Sequence, residues 1–355
     1  MSRAPIAIAG RPIGPGHPPY IVAEISGNHN GDIGRALAIL DAAAEAGADA
    51  VKLQTYTADT ITIDHDGPGF IIEGGLWHGR RLYDLYGEAY TPWDWHEKLY
   101  ERGKKHGMAV FSTPFDDTAI EFLASLDSPA YKVASFEMID LPLIRRIAAQ
   151  GKPVIMSTGI ADLIEIGEAV EAVHQGGCDD LILLHCVSGY PTAPKDANLL
   201  TIPHLAETFD AVGGLSDHTH GIAVSVAAIA LGAHLIEKHV TLKRSDGGPD
   251  AAFSLEPDEL KALVEGCRTA WEALGGVNYE RKPSEAGNAQ FRRSLYVVAD
   301  VAKGEPLSSR NVRSIRPGFG LAPKHLPGVL GRRATRNLTR GEPLAADMIE
   351  GGLPS

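Results

Sequence analysis

Eight short apolar runs, each followed by turn or polar residues and then by a helix-like stretch, alternate along residues 20–275, and nothing else in the chain limits its fold so strongly. The runs are Tyr20–Glu24, Ala50–Gln54, Ala109–Thr113, Ala130–Ala134, Pro153–Ser157, Leu181–Cys186, Ala211–Leu215 and His234–Val240. Short runs bounded by turn residues read as strands. Helix-like stretches fall between them at 34–46, 93–106, 117–126, 141–150, 161–176, 221–232 and 256–274, and the first stops at Gly47, a residue suited to a left-handed C-cap. Strands that are apolar almost throughout need cover on both faces of their sheet. Eight parallel strands alternating with helices over about 250 residues predict an α/β fold of the (β/α)8 barrel type. An open doubly wound sheet is the alternative, but no Gly-x-Gly-x-x-Gly turn follows the first strand.

The pattern changes after about residue 290. Asp300-Val-Ala-Lys-Gly-Glu-Pro-Leu-Ser-Ser-Arg-Asn-Val312 is matched by Asn337-Leu-Thr-Arg-Gly-Glu-Pro-Leu-Ala-Ala-Asp-Met-Ile349, Gly304 over Gly341 and Leu307 over Leu344. Two copies predict a small pseudo-symmetric domain rather than a solenoid. The expected organisation is a barrel at 1–275, a linker at 276–290 rich in Gly, Asn, Ser and charge, and a small domain at 291–355. The connection from Thr55 to Thr91 is long and carries Trp77, His78, Arg80, Arg81, Tyr83, Asp84, Tyr86 and Tyr90. Long loops in compact domains are functional or disordered, and one this aromatic points to a cover over a substrate.

Composition narrows the partners. A net charge of −12 disfavours nucleic acid or an anionic membrane surface, both of which reward a basic face. Cys178, Cys186 and Cys267 show no metal-type spacing and suit a reducing compartment. Pro12, Pro15, Pro18 and Pro19 interrupt the N-terminal apolar residues before a signal-peptide core forms, and no window approaches a membrane span, so a cytoplasmic protein is expected.

A barrel keeps its active site at the C-terminal ends of its strands. The residues closing the expected strands are Glu24, Lys52 and Gln54, Ser112 and Thr113, Lys132 and Ser135, Ser157 and Thr158, Ser188 and Tyr190, Ser216 and His218, and His239. Any one serine alone reads as a cap or turn residue. Two lysines, a carboxylate and two histidines on one rim need a further reason. Lysines among hydroxyls and turn N–H groups suit a phosphate. His218 and His239, on adjacent strands, suit a divalent metal that polarises a carbonyl oxygen. Glu237 points the same way as His239 but one layer deeper. Two other readings fit these residues: an aldolase using Lys52 or Lys132 as a Schiff-base nucleophile, and a non-catalytic sugar-binding protein.

Ile-Val-Ala-Glu24-Ile-Ser-Gly-Asn-His-Asn-Gly, Val-Lys52-Leu-Gln54-Thr-Tyr, Phe-Ser-Thr113-Pro-Phe-Asp, Tyr-Lys132-Val-Ala-Ser135-Phe-Glu, Leu-Ser-Asp-His218-Thr and Ile-Glu-Lys-His239 together resemble the sialic acid synthase family over nearly the whole chain. The C-terminal repeat resembles that family's antifreeze-like (SAF) domain. Within the family, Leu76-Trp-His-Gly-Arg80, Leu82-Tyr-Asp-Leu-Tyr86 and Glu88-Ala-Tyr-Thr-Pro-Trp93 are most similar to members that form pseudaminate.

The resemblance implies condensation of phosphoenolpyruvate with the open-chain aldehyde of 2,4-diacetamido-2,4,6-trideoxy-altropyranose and water, giving pseudaminate and phosphate. The family alternatives are N-acetylneuraminate or legionaminate synthesis, from N-acetylmannosamine or a 2,4-diacetamido-trideoxy-mannose. It further implies Glu24, His218 and His239 as catalytic residues, the two histidines as ligands of Mn2+ (Mg2+ or Co2+ as alternatives), and Lys52, Thr113, Lys132, Ser135, Ser157, Ser188 and Ser216 as the phosphoenolpyruvate site. Gln54, Tyr190, Asp250 and Arg316 would face the sugar, Arg316 from the partner subunit of a domain-swapped homodimer. Where sialate-forming members commonly show Cys-Thr-Asn, this chain has Cys186-Val-Ser188, whose shorter side chain changes the reach to phosphate.

Overall fold

A computed structural model describes residues 4–353, and the chain divides between Gly275 and Gly276 into two units. The first unit opens with an antiparallel hairpin, β1 (Ile6–Ile8) and β2 (Arg11–Ile13). Eight parallel strands follow: β3 (Tyr20–Glu24), β4 (Ala50–Thr55), β5 (Ala109–Pro114), β6 (Tyr131–Val133), β7 (Val154–Ser157), β8 (Leu181–Cys186), β9 (Val212–Ser216) and β10 (Leu235–His239). They form a closed barrel in chain order, with β10 pairing β3. The (β/α)8 expectation holds, and the expected strands lie within a residue of the observed ones.

Period-two alternation sorts each strand into an inward and an outward face. Inward residues Tyr20, Val22, Ala50, Ala109, Phe111, Ile155, Ile182, Leu184, Val212 and Leu235 form one buried cluster, and Ile6, Ile8 and Ile13 of the hairpin belong to it. Because Tyr20, Ala50, Ala109 and Leu235 lie at the strands' N-terminal ends, the hairpin closes that end of the barrel. Outward residues such as Ile21, Val51, Leu53, Val110, Leu215 and Ile236 pack against the helical shell, including Ile33–Ala46 and Pro257–Leu274. Helix Ile33–Ala46 starts on Asp32, whose side chain accepts from the Gly34 N–H, and ends on Gly47 at φ 84°, a conformation glycine adopts without strain.

The second unit pairs β11 (Ser294–Val297) with β12 (Val312–Ile315). Its sequence repeat is structural: Val301 and Leu338, equivalent positions of the two copies, exchange backbone hydrogen bonds of 2.9 Å in both directions. Leu307 and Leu344, and Val312 and Ile349, also share one core. Segment 276–290, expected as a linker, ends in a 3-10 stretch, Pro283–Phe291. No helix among the described residues is long and apolar enough to cross a membrane.

Candidate active site

The alternation that buries apolar layers low in the barrel carries polar side chains into the layers above. On β3 the inward series Tyr20, Val22 ends at Glu24; on β4 Ala50 leads to Lys52 and Gln54; on β5 Phe111 leads to Thr113; on β10 Leu235 leads to Glu237 and His239. Parallel register sets His239 beside Glu24 and Glu24 beside Lys52.

Lys52 is the hub. Its Nζ lies 2.8 Å from Glu24 Oε2, 3.5 Å from Glu237 Oε1 and 3.4 Å from Thr113 Oγ1. Burial disfavours the Lys52 charge, but Glu237 and Glu24 outweigh it and move the ammonium above its ordinary range. Gln54 Nε2 donates to Glu24 Oε1 at 3.0 Å. Burial pushes Glu24 up, against the pull of Lys52, so it is the carboxyl that holds a proton more readily. Burial opposes the Glu237 charge too, yet Lys52, Lys132 and His218 together hold it below the ordinary carboxylate range. Ser216 Oγ donates to Glu237 Oε1 at 3.4 Å, while the buried Glu237 Oε2 has no hydrogen-bond partner among the described residues. That unsatisfied oxygen is a place for a ligand's proton donor.

Lys132 Nζ donates to Ser157 Oγ at 2.7 Å and to the Val133 carbonyl at 2.8 Å. Burial lowers it to about 8. Beside it, Gly159 leaves room where the hydroxyls of Ser135 and Ser188 and the Cys186 thiol converge, and its N–H donates to Ser135 Oγ at 3.1 Å. This half of the rim is a set of cations and hydroxyls.

The other half is imidazole, carboxylate and aromatic. The His218 and His239 rings lie 5.4 Å apart between centroids. His218 Nδ1 donates to the Val187 carbonyl at 3.0 Å, so in the neutral ring Nε2 is the acceptor; burial disfavours the imidazolium, but Cys186 and that carbonyl outweigh it and raise His218. His239 Nδ1 lies 3.2 Å from Ser26 Oγ and 3.9 Å from Asp250 Oδ2. Burial, then His218, push His239 well below its ordinary value and keep it neutral. Tyr190 lies 4.4 Å from His218, Phe253 4.9 Å from His239, and Trp77 5.4 Å from Tyr190. The Trp77 Nε1–H donates to the Pro249 carbonyl at 2.9 Å, which ties the long loop to the residue before Asp250.

Two of the strand-closing residues singled out in the sequence do not face the site: Ser112 Oγ lies 2.6 Å from Thr55 Oγ1, which lies 2.8 Å from His96 Nε2 on the helical shell, and Thr158 Oγ1 donates to the Leu184 carbonyl at 3.2 Å. The other barrel residues share one rim, and Arg316 belongs to the second unit, exposed just beyond β12. Sequence reasoning passed over Ser26 and Phe253. Ser26 takes φ 47°, unusual for a serine, and nothing in its type signals that.

The structure thus joins a closed (β/α)8 barrel with a two-sided polar rim to a second unit built from a sequence repeat. Comparison with known proteins supplies the family. The NeuB family model matches residues 39–279 and the SAF domain model residues 292–350. The chain belongs to the NeuB family. It is 46% identical over 325 residues to the pseudaminic acid synthase of Campylobacter jejuni, covering 92% of this chain and 95% of that one. It is 37% identical over 338 residues to the N,N'-diacetyllegionaminic acid synthase of Legionella pneumophila, covering 93% and 94%. Among solved structures it resembles the N-acetylneuraminic acid synthetase of Leptospira borgpetersenii, at 34% identity and a TM-score of 0.72 over 82% of this chain and 97% of that one.

Proposed function

We propose that this chain is a pseudaminic acid synthase, joining phosphoenolpyruvate, water and the open-chain aldehyde of 2,4-diacetamido-2,4,6-trideoxy-altropyranose into pseudaminate and phosphate. The observation that carries the proposal is the division of one rim into a half of cations and hydroxyls and a half of imidazoles, carboxylates and aromatics, Lys52 and Glu24 meeting between them. Higher identity to the pseudaminate relative than to the legionaminate one supports the choice of sugar.

Lys132 and Lys52, with the hydroxyls of Thr113, Ser135, Ser157, Ser188 and Ser216, bind the phosphate and carboxylate of phosphoenolpyruvate as point charges and donors. Carbon 3 of phosphoenolpyruvate forms a bond to the aldehyde carbon as its π bond to carbon 2 opens, and the aldehyde oxygen becomes a hydroxyl by taking a proton delivered through Glu24. Water adds at carbon 2, with the free Glu237 Oε2 accepting one of its protons, and the carbon–oxygen bond to phosphate breaks as the new carbon 2 hydroxyl becomes a carbonyl and passes its proton to the departing phosphate. Gln54, Tyr190 and Asp250 face the sugar.

The histidine pair fits a divalent metal. Both Nδ1 atoms are engaged by other groups, leaving both Nε2 atoms as donors, with Asp250 close by. No cluster of three or more His, Cys, Asp or Glu able to hold an ion occurs among the described residues, so water and substrate oxygens are needed to complete the sphere. Nitrogen and oxygen donors without thiolate suit Mn2+, with Mg2+ and Co2+ as alternatives. Such an ion supplies Lewis acidity to the aldehyde carbonyl.

We further propose a homodimer in which Arg316 reaches the partner's barrel. Phe136, Ile139 and Ile160, on the connections after β6 and β7, and Leu163 and Ile164, which open the helix Leu163–Gln175 after β7, leave apolar side chains exposed, which supports an interface there.

One experiment tests the activity: phosphate release from phosphoenolpyruvate with each of the three candidate sugars. The altrose-configured sugar is expected to give the highest kcat/KM, and preference for either other sugar would replace the pseudaminate assignment. Borohydride trapping of substrate on Lys132 would overturn the synthase mechanism in favour of an aldolase.

A further inference from the structure

We propose that the buried Asp217–Lys238 ion pair is a clip that sets the separation of His218 and His239. The inference rests on the metal reading of that pair. Each charged residue immediately precedes one histidine, so by period-two alternation both point away from the barrel axis while the rings point into the site. Their companions on that outward face, Leu215 and Ile236, are apolar and sit in the helix-packed core. Two charges at the end of such a face need a reason.

The pair is fully enclosed, Asp217 at 3% and Lys238 at 1% exposure. Lys238 Nζ lies 2.7 Å from Asp217 Oδ2 and donates to the Thr219 carbonyl at 2.6 Å. Asp217 Oδ1 accepts from the Thr219 N–H at 2.8 Å, and Ser225 Oγ donates to Oδ2 at 2.5 Å. His218 is therefore held between two residues, Asp217 and Thr219, that both bind Lys238, the residue next to His239. Ser225 extends the tie to helix Ala223–Ala230.

Stability explains such a pair poorly. Apolar side chains of similar volume commonly replace a buried ion pair with no loss of stability, whereas removing one partner strands a charge. Fixing register is the best-attested use of buried polar groups. Here the register fixed is that of two side chains on neighbouring strands, and neither Asp217 nor Lys238 touches substrate. They are positioning residues.

The test compares Asp217→Asn, Lys238→Met and the double variant Asp217→Leu/Lys238→Met in the full-length, metal-stripped enzyme. Melting temperature and Mn2+ affinity, the latter from the EPR signal of free Mn2+, are read separately. Both single variants should melt lower. The double variant should recover most of the melting temperature yet bind Mn2+ about 10-fold more weakly, in line with losses on removing supporting groups around a metal. Its KM for the sugar should rise while its KM for phosphoenolpyruvate stays put. Wild-type Mn2+ affinity in a folded double variant would overturn the clip. Should the double variant not fold, Ser225→Ala loosens Asp217 without stranding a charge. A native melting temperature with weakened Mn2+ binding then supports the clip, and unchanged binding overturns it. Wild-type enzyme with no Mn2+ affinity overturns the metal reading, and the clip with it.

Discussion

Gly159→Ala separates binding from stability at the half of the rim proposed to hold phosphate. Gly159 φ lies outside the left-handed region, so alanine meets no backbone penalty. The added methyl carbon falls 2.3 Å from Ser188 Oγ, 2.7 Å from Ser135 Oγ and 3.2 Å from Cys186 Sγ, all closer than unbonded atoms pack. Both hydroxyls end a single rotatable bond and can swing away, at a fold cost of about 1–2 kcal/mol that includes the hydrogen bond from the Gly159 N–H to Ser135. Binding suffers more. A hydrogen bond to a charged group contributes about 1.5–3 kcal/mol, so losing one raises KM for phosphoenolpyruvate about 10- to 150-fold. The assay follows phosphate release with phosphoenolpyruvate varied at saturating sugar, beside a thermal melt. A KM for phosphoenolpyruvate within twofold of wild type, or an equal rise in the sugar KM, would refute the reasoning. Gly214→Ala is the contrast: its methyl meets Leu184 Cδ2 at 2.5 Å and the Leu235 carbonyl oxygen at 2.6 Å, and a backbone atom of the next strand cannot rotate away. That variant should lose stability at least as much as ordinary core overpacking, about 1–3 kcal/mol.

Because burial lowers Lys132 to about 8, the unfolded chain keeps the proton that the folded chain releases between that pH and the ordinary value of 10.5. The Lys132 contribution to stability therefore rises with pH across that window. Its charge is lost over the same range, so kcat/KM for phosphoenolpyruvate should fall above pH about 8, and a profile with no such limb would count against Lys132 in the site. Exhaustive chelation should abolish turnover and Mn2+ should restore it; full activity without metal would defeat the histidine assignment. Trp77→Ala removes the aromatic wall on Tyr190 and should raise the sugar KM about 10-fold, within the range for large buried aromatic contacts, leaving the phosphoenolpyruvate KM unmoved; equal effects on both would make the loop a general cover. Mixing inactive Arg316→Ala and Glu24→Ala chains should recover activity through hybrid sites, and no recovery with subunit exchange verified would remove Arg316 from the partner's barrel.

Much of this site was legible because barrel strands carry a strong local signal. β3 and β8 begin and end where their apolar runs do, since Glu24 is followed by Ile25 and a 3-10 stretch from Ser26, and Cys186 by an irregular connection. The hairpin Ile6–Ile13 was not legible: two three-residue strands around Ala9-Gly10, with Pro12 in one, carry too little local signal, and only their burial against the barrel interior explains them. Helix Thr201–Thr208 was passed over for a similar reason, being eight residues long with Pro203 in its first turn. The partners of Trp77 lie more than a hundred residues away in sequence, at Tyr190 and Pro249, and no residue type announces such a contact.

Glu237 and Lys238 show how one periodicity yields both the site and its support. Two residues before His239, Glu237 shares its inward face one layer down, and there it meets Lys52 and Ser216. One residue before His239, Lys238 faces outward and meets Asp217, itself one residue before His218. A one-residue slip of β10 would exchange these roles, placing an ammonium in the layer that has to stay neutral or anionic beside two lysines, and a carboxylate against the helices. The ion pair on the outside and the lysine–carboxylate hub on the inside therefore penalise the same error from opposite faces. In this barrel the polar groups that do no chemistry specify where the reacting ones stand.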